Sequence, residues 1–128
     1  MTDLRPVILL VEDDKHLAEM YKTVFEKERF IVEQTADGNE ALKMIAQEKP
    51  DVVLLDIMLP GKDGIEILQI IKSNPSYSNI AVLVFTAHPK EEFKRLAENA
   101  GAIDFISKSE TMPVDIVRKV KKIIGWGK

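Results

Sequence analysis

Val7-Ile8-Leu9-Leu10-Val11-Glu12-Asp13-Asp14 sets five consecutive apolar residues directly before three acids. A run with no polar side suits a parallel strand covered on both faces better than a strand with one wet face. It is also far too short to cross a bilayer, which takes about 20 apolar residues. Working outward, similar runs recur at Val52-Val53-Leu54-Leu55 and Ile80-Ala81-Val82-Leu83-Val84-Phe85. Weaker strand candidates lie at Phe30 to Thr35 and Ala102 to Ile106.

Between these runs the apolar residues take helical spacing. A first helix is predicted from Asp14 or Lys15, with Leu17, Tyr21, Val24 and Phe25 on one face. A second runs from about Gly38 to Glu48 with Ala41, Leu42 and Ile45 inward. A third follows Asp63-Gly64, uses Ile65, Leu68 and Ile71, and ends near Asn74-Pro75, because the residue before proline resists helix. A fourth begins after Pro89 and carries Phe93, Leu96 and Ala97. The last spans about Pro113 to Ile124 with Ile116, Val117, Val120 and Ile123 inward, closed by Gly125. Strands alternating with helices predict an α/β fold, a (βα)5 doubly wound five-stranded parallel sheet with helices on both faces.

At 128 residues without a proline- or serine-rich linker or an internal repeat, the expectation is one domain over 1–128, with its core at about 7–124. The absence of cysteine removes disulfides and thiolate metal sites and suits a cytoplasmic protein. The opening Met1-Thr2-Asp3-Leu4-Arg5-Pro6 lacks the basic lead and apolar stretch of a secretory signal. A formal net charge of −3 gives no overall basic field, so neither direct nucleic-acid binding nor membrane association is expected. The basic run Arg118, Lys119, Lys121, Lys122 reads as a solvated face complementing the negative end of the last helix.

In an open parallel sheet, ligands bind beyond the carboxyl ends of the strands, where the strand order reverses. After the first run come Glu12, Asp13 and Asp14; Asp56 follows the third strand, Thr86 the fourth and Lys108 the fifth. Asp51 falls at the opposite pole. If strands one and three are neighbours, as in the flavodoxin-like order 2-1-3-4-5, Asp13 and Asp56 face each other across the crevice. Close carboxylates repel, and Mg²⁺, which favours carboxylate oxygens and retains waters, relieves that repulsion. Each residue alone also has a plain structural reading. The three acids could cap the first helix, Asp56 and Thr86 could simply close strands, and Lys108 could be a solvated lysine. Four chemical types ending different strands on one edge favour a site.

The segments Ile8–Asp14, Asp56–Gly64, Val84–Ala87 and Phe105–Lys108 resemble, in order and spacing, the motifs of bacterial response-regulator receiver domains, over about Val7 to Ile124. The resemblance implies a signalling switch rather than an enzyme, working in a two-component system or phosphorelay. Asp56 would accept a phosphoryl group from a sensor histidine kinase or histidine phosphotransfer protein. Asp13 and Asp56 would bind Mg²⁺ through side chains, Met58 through its backbone carbonyl and Glu12 through a water. Thr86 and Lys108 would hold phosphoryl oxygens. Phe105, with Thr86, would switch the face of helix four, strand five and helix five toward a downstream effector or a phosphorylation-dependent dimer.

Some residues depart from the family pattern. Family members often have proline after the site lysine, joined by a cis bond; here Ser109 follows Lys108, and a cis bond there would cost about 2.5 to 4 kcal/mol. That leaves either a trans bond with a rearranged loop or a strained cis bond. Phe105 replaces the more usual tyrosine, and the resemblance implies that Met58 and His88, each two residues past a site residue, occupy positions that in this family tend to tune phosphate lifetime. Alternatives to a stand-alone receiver are a fragment of a larger DNA-binding or enzymatic regulator, and an aspartyl-phosphate phosphatase. The latter normally carries an Asp-x-Asp pair, which Asp56-Ile57-Met58 lacks. His88 as a second phosphorylation site or metal ligand, and His16, are read as solvated side chains.

Overall fold

Alternating apolar runs and amphipathic stretches become five parallel strands and five helices in a computed structural model, which describes residues 4–59, 63–87 and 89–126. In chain order these are β1 (Val7–Val11), α1 (Lys15–Lys27), β2 (Ile31–Thr35), α2 (Gly38–Glu48), β3 (Val52–Asp56), α3 (Gly64–Ser73), β4 (Ala81–Thr86), α4 (Glu91–Asn99), β5 (Asp104–Ser107) and α5 (Pro113–Ile124). The sheet order is β2-β1-β3-β4-β5 with every pair parallel, so the expected flavodoxin-like order 2-1-3-4-5 holds. The reversal of direction falls between β1 and β3, directly beside Glu12, Asp13 and Asp56. His88 and the Pro60-Gly61-Lys62 part of the quoted motif lie outside the described residues.

The unbroken apolar runs are explained by two cores, one on each face of the sheet. Successive strand side chains point to opposite faces. Ile8, Leu10, Leu54, Leu83 and Phe85 therefore pack with Tyr21, Phe25, Ile116 and Val120 of α1 and α5. Leu9, Val11, Val53, Leu55, Val82 and Val84 pack with Ala41, Ile45, Ile67, Leu68 and Ala97 of α2, α3 and α4. With both faces covered, β3 is buried at all five positions.

Three expectations need correction. Leu96, read as inward, is 48% exposed, and Ala97 is the one buried residue of α4 among the described residues. The inward faces of α1 and α3 include Ala18 and Ile67, while Leu17, Val24 and Ile65 sit at their margins. Finally, β5 begins at Asp104 rather than Ala102. The end of α4 takes those residues: Gly101 has φ of 103°, and Ala102 donates its N–H back to Ala97 O at 3.0 Å. Asp51 sits at the opposite pole as expected, where its Oδ2 accepts the N–H of Val7 at 2.7 Å. Among the described residues no peptide bond is cis, so Lys108–Ser109 is trans, and no helix is long and apolar enough to cross a membrane.

Candidate functional site

The three acids after β1 divide their work. Asp14 is the helix cap that the plain reading suggests: its Oδ1 accepts the N–H of Leu17 at 3.1 Å and opens α1. Glu12 is not a cap but a buried side chain, 3% exposed. Its backbone N–H is fixed to Thr35 O of β2 at 3.0 Å, and its Oε2 accepts the N–H of Asp14 at 3.0 Å. Asp13 is exposed at the mouth. Carboxylate oxygens of Glu12, Asp13 and Asp56 lie within 4.8 Å of one another, which is the grouping expected from the strand ends.

Asp56 closes β3 and is 4% exposed. Its Oδ1 accepts the N–H of Met58 at 2.9 Å, and its Oδ2 accepts Nζ of Lys108 at 2.8 Å. Met58 therefore meets the site through its backbone, while its side chain is exposed. Lys108 reaches back from the end of β5, with its own N–H donated to Thr86 O at 2.8 Å, and forms a second short ion pair with Oε1 of Glu12. Thr86 is fully buried at the end of β4. Phe105 is half-buried in a cleft with Pro89, Glu91, Lys94 and Lys119 and packs on the α3–α4 side of the sheet. Glu12, Asp13, Asp56, Met58, Thr86 and Lys108 thus gather at one edge, and Phe105 stands apart on the α4–β5–α5 face.

The electrostatics of this cluster are unbalanced. Burial pushes the Glu12 carboxyl upward and the charge of Asp56 adds to it; bonds from the Asp14 N–H and from Lys108 only partly offset that. Burial pushes the Lys108 ammonium down, but its bonds to Asp56 and Glu12 outweigh burial and hold it above the ordinary lysine value. Both groups are thus shifted upward, which favours the charged form of Lys108 and disfavours that of Glu12. One ammonium shared between two carboxylates, with Asp13 beside them, leaves a formal charge of −2. Oxygen donors with that residual charge fit a hard divalent cation such as Mg²⁺.

Two residues that the sequence reading gave no role shape the site. Gly64, the first residue of α3, lies so close under the β3 loop that a Cβ there would sit 2.5 Å from Ile57 Cα and 2.7 Å from Asp56 O. A weak helix former opening a helix beside the motif was the available signal. Phe85, read only as core, lies beneath Nζ of Lys108 at 4.7 Å from the ring centre.

A buried carboxylate, an acidic cluster and a lysine at the switch point of a doubly wound parallel sheet place the candidate site where α/β proteins of this class bind their ligands. The chain belongs to the response regulator receiver domain family, whose model matches residues 8–121. Among solved structures it is similar to a response regulator from Chloroflexus aurantiacus, at 31% identity and a TM-score of 0.88 over 94% of this chain and 98% of that one. It is similar also to the BeF3-activated N-terminal receiver domain of RstA from Klebsiella pneumoniae, at 30% identity and 0.85 over 92% and 97%. A CheY-like receiver domain protein from Methanospirillum hungatei matches at 29% identity and 0.88, covering 94% of each chain.

Proposed function

We propose that this receiver takes a phosphoryl group onto Asp56 in a Mg²⁺-dependent reaction and thereby switches its α4–β5–α5 face. The observation that carries the reading is the environment of Asp56. Its carboxylate is buried, oriented by the Met58 N–H and Lys108 Nζ, and adjacent to two further carboxylates. The donor would be the phosphohistidine of a sensor kinase or phosphotransfer protein. An Asp56 oxygen attacks phosphorus, the P–N bond breaks, and its electron pair leaves with the protonated imidazole as neutral histidine.

Asp13, Asp56 and the Met58 carbonyl would hold Mg²⁺, with Glu12 acting through a water. The ion supplies positive charge for the phosphoryl oxygens. Lys108, freed from sharing two carboxylates, pairs with one phosphoryl oxygen, and the Thr86 hydroxyl bonds another. Movement of Thr86 toward that oxygen vacates space that Phe105 fills, which couples the site to the α4–β5–α5 face and to a downstream effector or a second copy. The chain works on this reading as a switch that assists its own phosphorylation, not as an enzyme acting on other molecules.

Intact-mass measurement after incubation with Mg²⁺ and acetyl phosphate tests the reading. One phosphoryl adduct is expected, lost in Asp56→Ala and with EDTA. An adduct that survives in Asp56→Ala would move the acceptor elsewhere. No adduct from acetyl phosphate or from phosphorylated kinases would leave a receiver acting by protein contacts alone.

A further inference from the structure

Phe85 stands opposite Asp56 in the β3–β4 ladder and is fully buried on the α1–α5 side of the sheet. Its ring meets Tyr21 at a centroid separation of 5.5 Å with the planes at 86°, so it is wedged edge to face against α1. Nζ of Lys108 lies over the same ring, 4.7 Å from its centre. Among the described residues the lysine head group therefore meets the Glu12 and Asp56 carboxylates and an aromatic face.

We propose that Phe85 is a positioning residue, an aromatic seat that keeps the Lys108 ammonium at the carboxyl edge through every state of the site. The proposal rests on the phosphoacceptor reading above and deepens it. Both carboxylate partners of Lys108 belong to groups that the reaction claims, since Asp56 receives the phosphoryl group and Glu12 turns to the cation. When they are redirected, the ring is the neighbour that does not change. An aromatic face attracts a cation through its quadrupole, and more strongly where water is excluded, as at a lysine side chain only 12% exposed. Such a contact is worth about 3- to 30-fold in the population of correctly placed lysine. A merely space-filling residue would also be buried here, but leucine would fill the space without offering a negative face.

The test separates ring electronics from packing. In the full chain, Phe85 is replaced by 3,5-difluorophenylalanine, which keeps the ring shape and weakens its negative face, and separately by leucine (Phe85→Leu). Acetyl phosphate is the phosphoryl source, and Mg²⁺ affinity is titrated in parallel. Phosphorylation about 3- to 10-fold slower in the fluorinated protein is expected, with Mg²⁺ affinity within about twofold and melting unchanged. A wild-type rate in the fluorinated protein overturns the proposal, even if Phe85→Leu is slow through a packing defect. Ring-current shifts of the Lys108 methylene protons by NMR give an independent reading. Shifts present in wild type and kept on adding Mg²⁺ sustain the seat; shifts lost with Mg²⁺ overturn it. If wild type takes no phosphoryl group, the phosphoacceptor reading fails and the NMR result alone decides the seat.

Discussion

At Glu12 the geometry sets burial against pairing, and burial wins. The side chain accepts an N–H and an ammonium, yet its carboxyl stays above the ordinary value because desolvation and Asp56 outweigh both. A carboxyl raised in the folded state contributes stability that is fully present below its unfolded value, here 4.5, and lost as pH rises through the folded value. In metal-free protein near neutral pH, ionised Glu12 is thus a net cost. Glu12→Gln keeps an oxygen for the Asp14 N–H and removes the charge. It should raise the metal-free melting temperature at pH 7, with the difference closing as pH falls through the raised folded value toward 4.5. Melting curves in EDTA across that window check this; an equal or lower melting temperature for the variant at pH 7 would contradict it. Glu12 was readable as a candidate because it follows an apolar strand. The seat under Lys108 was not, because Phe85 reads as one more apolar residue in a buried run, and nothing in the sequence says which side chain its ring will meet.

At the scale of elements, the junction between β3 and α3 has the least room. Gly64 donates its N–H to Ile57 O at 3.3 Å, and Asp63 Oδ1 caps the helix through Ile65 N at 2.8 Å. Alanine at a helix start would ordinarily gain up to about 1 kcal/mol over glycine. Here a Cβ would meet backbone atoms at 2.5 and 2.7 Å, and backbone cannot swing aside as a flexible side chain can. The clash outweighs the propensity, so Gly64→Ala should destabilise by about 2 kcal/mol or more in urea unfolding. Its displaced β3 loop should also slow phosphorylation of Asp56. A neutral or stabilised variant would show that the loop yields freely. The same scale shows which elements the sequence disclosed. The long, strongly apolar strands and α2, α3 and α5 fall within a residue or two of their expected bounds, because burial on two faces leaves no competing pattern. The start of β5 and the inward face of α4 did not, since the positive φ at Gly101 and the shallow seating of α4 are tertiary facts.

Across the whole molecule, the proposed site is also a fastening. Glu12 follows β1, Asp56 ends β3 and Lys108 follows β5, so the Lys108 ion pairs bridge strands that are not neighbours in the sheet order. That fastening is incomplete, because the cluster keeps a formal charge of −2 after Lys108 is counted. A divalent cation bound only by the folded chain stabilises it by RT ln(1 + [L]/Kd), about 2.7 kcal/mol at a hundred times Kd. For a chain of this length that corresponds to a melting temperature roughly 10 °C higher. The rise should track the logarithm of Mg²⁺ concentration once the site is mostly filled, and it should shrink in Asp13→Asn and Asp56→Asn, which each remove one negative charge. Sodium chloride at matched ionic strength separates this from general screening, which acts on exposed charges such as Asp13 far more than on the buried Glu12 and Asp56. A rise reproduced by sodium chloride, or unchanged in both variants, would mean that the carboxylates are an ionic strain of the fold and not a place for the ion. A rise specific to Mg²⁺ and reduced in both variants would tie the ion to the strand ends that the phosphoryl group is proposed to reach.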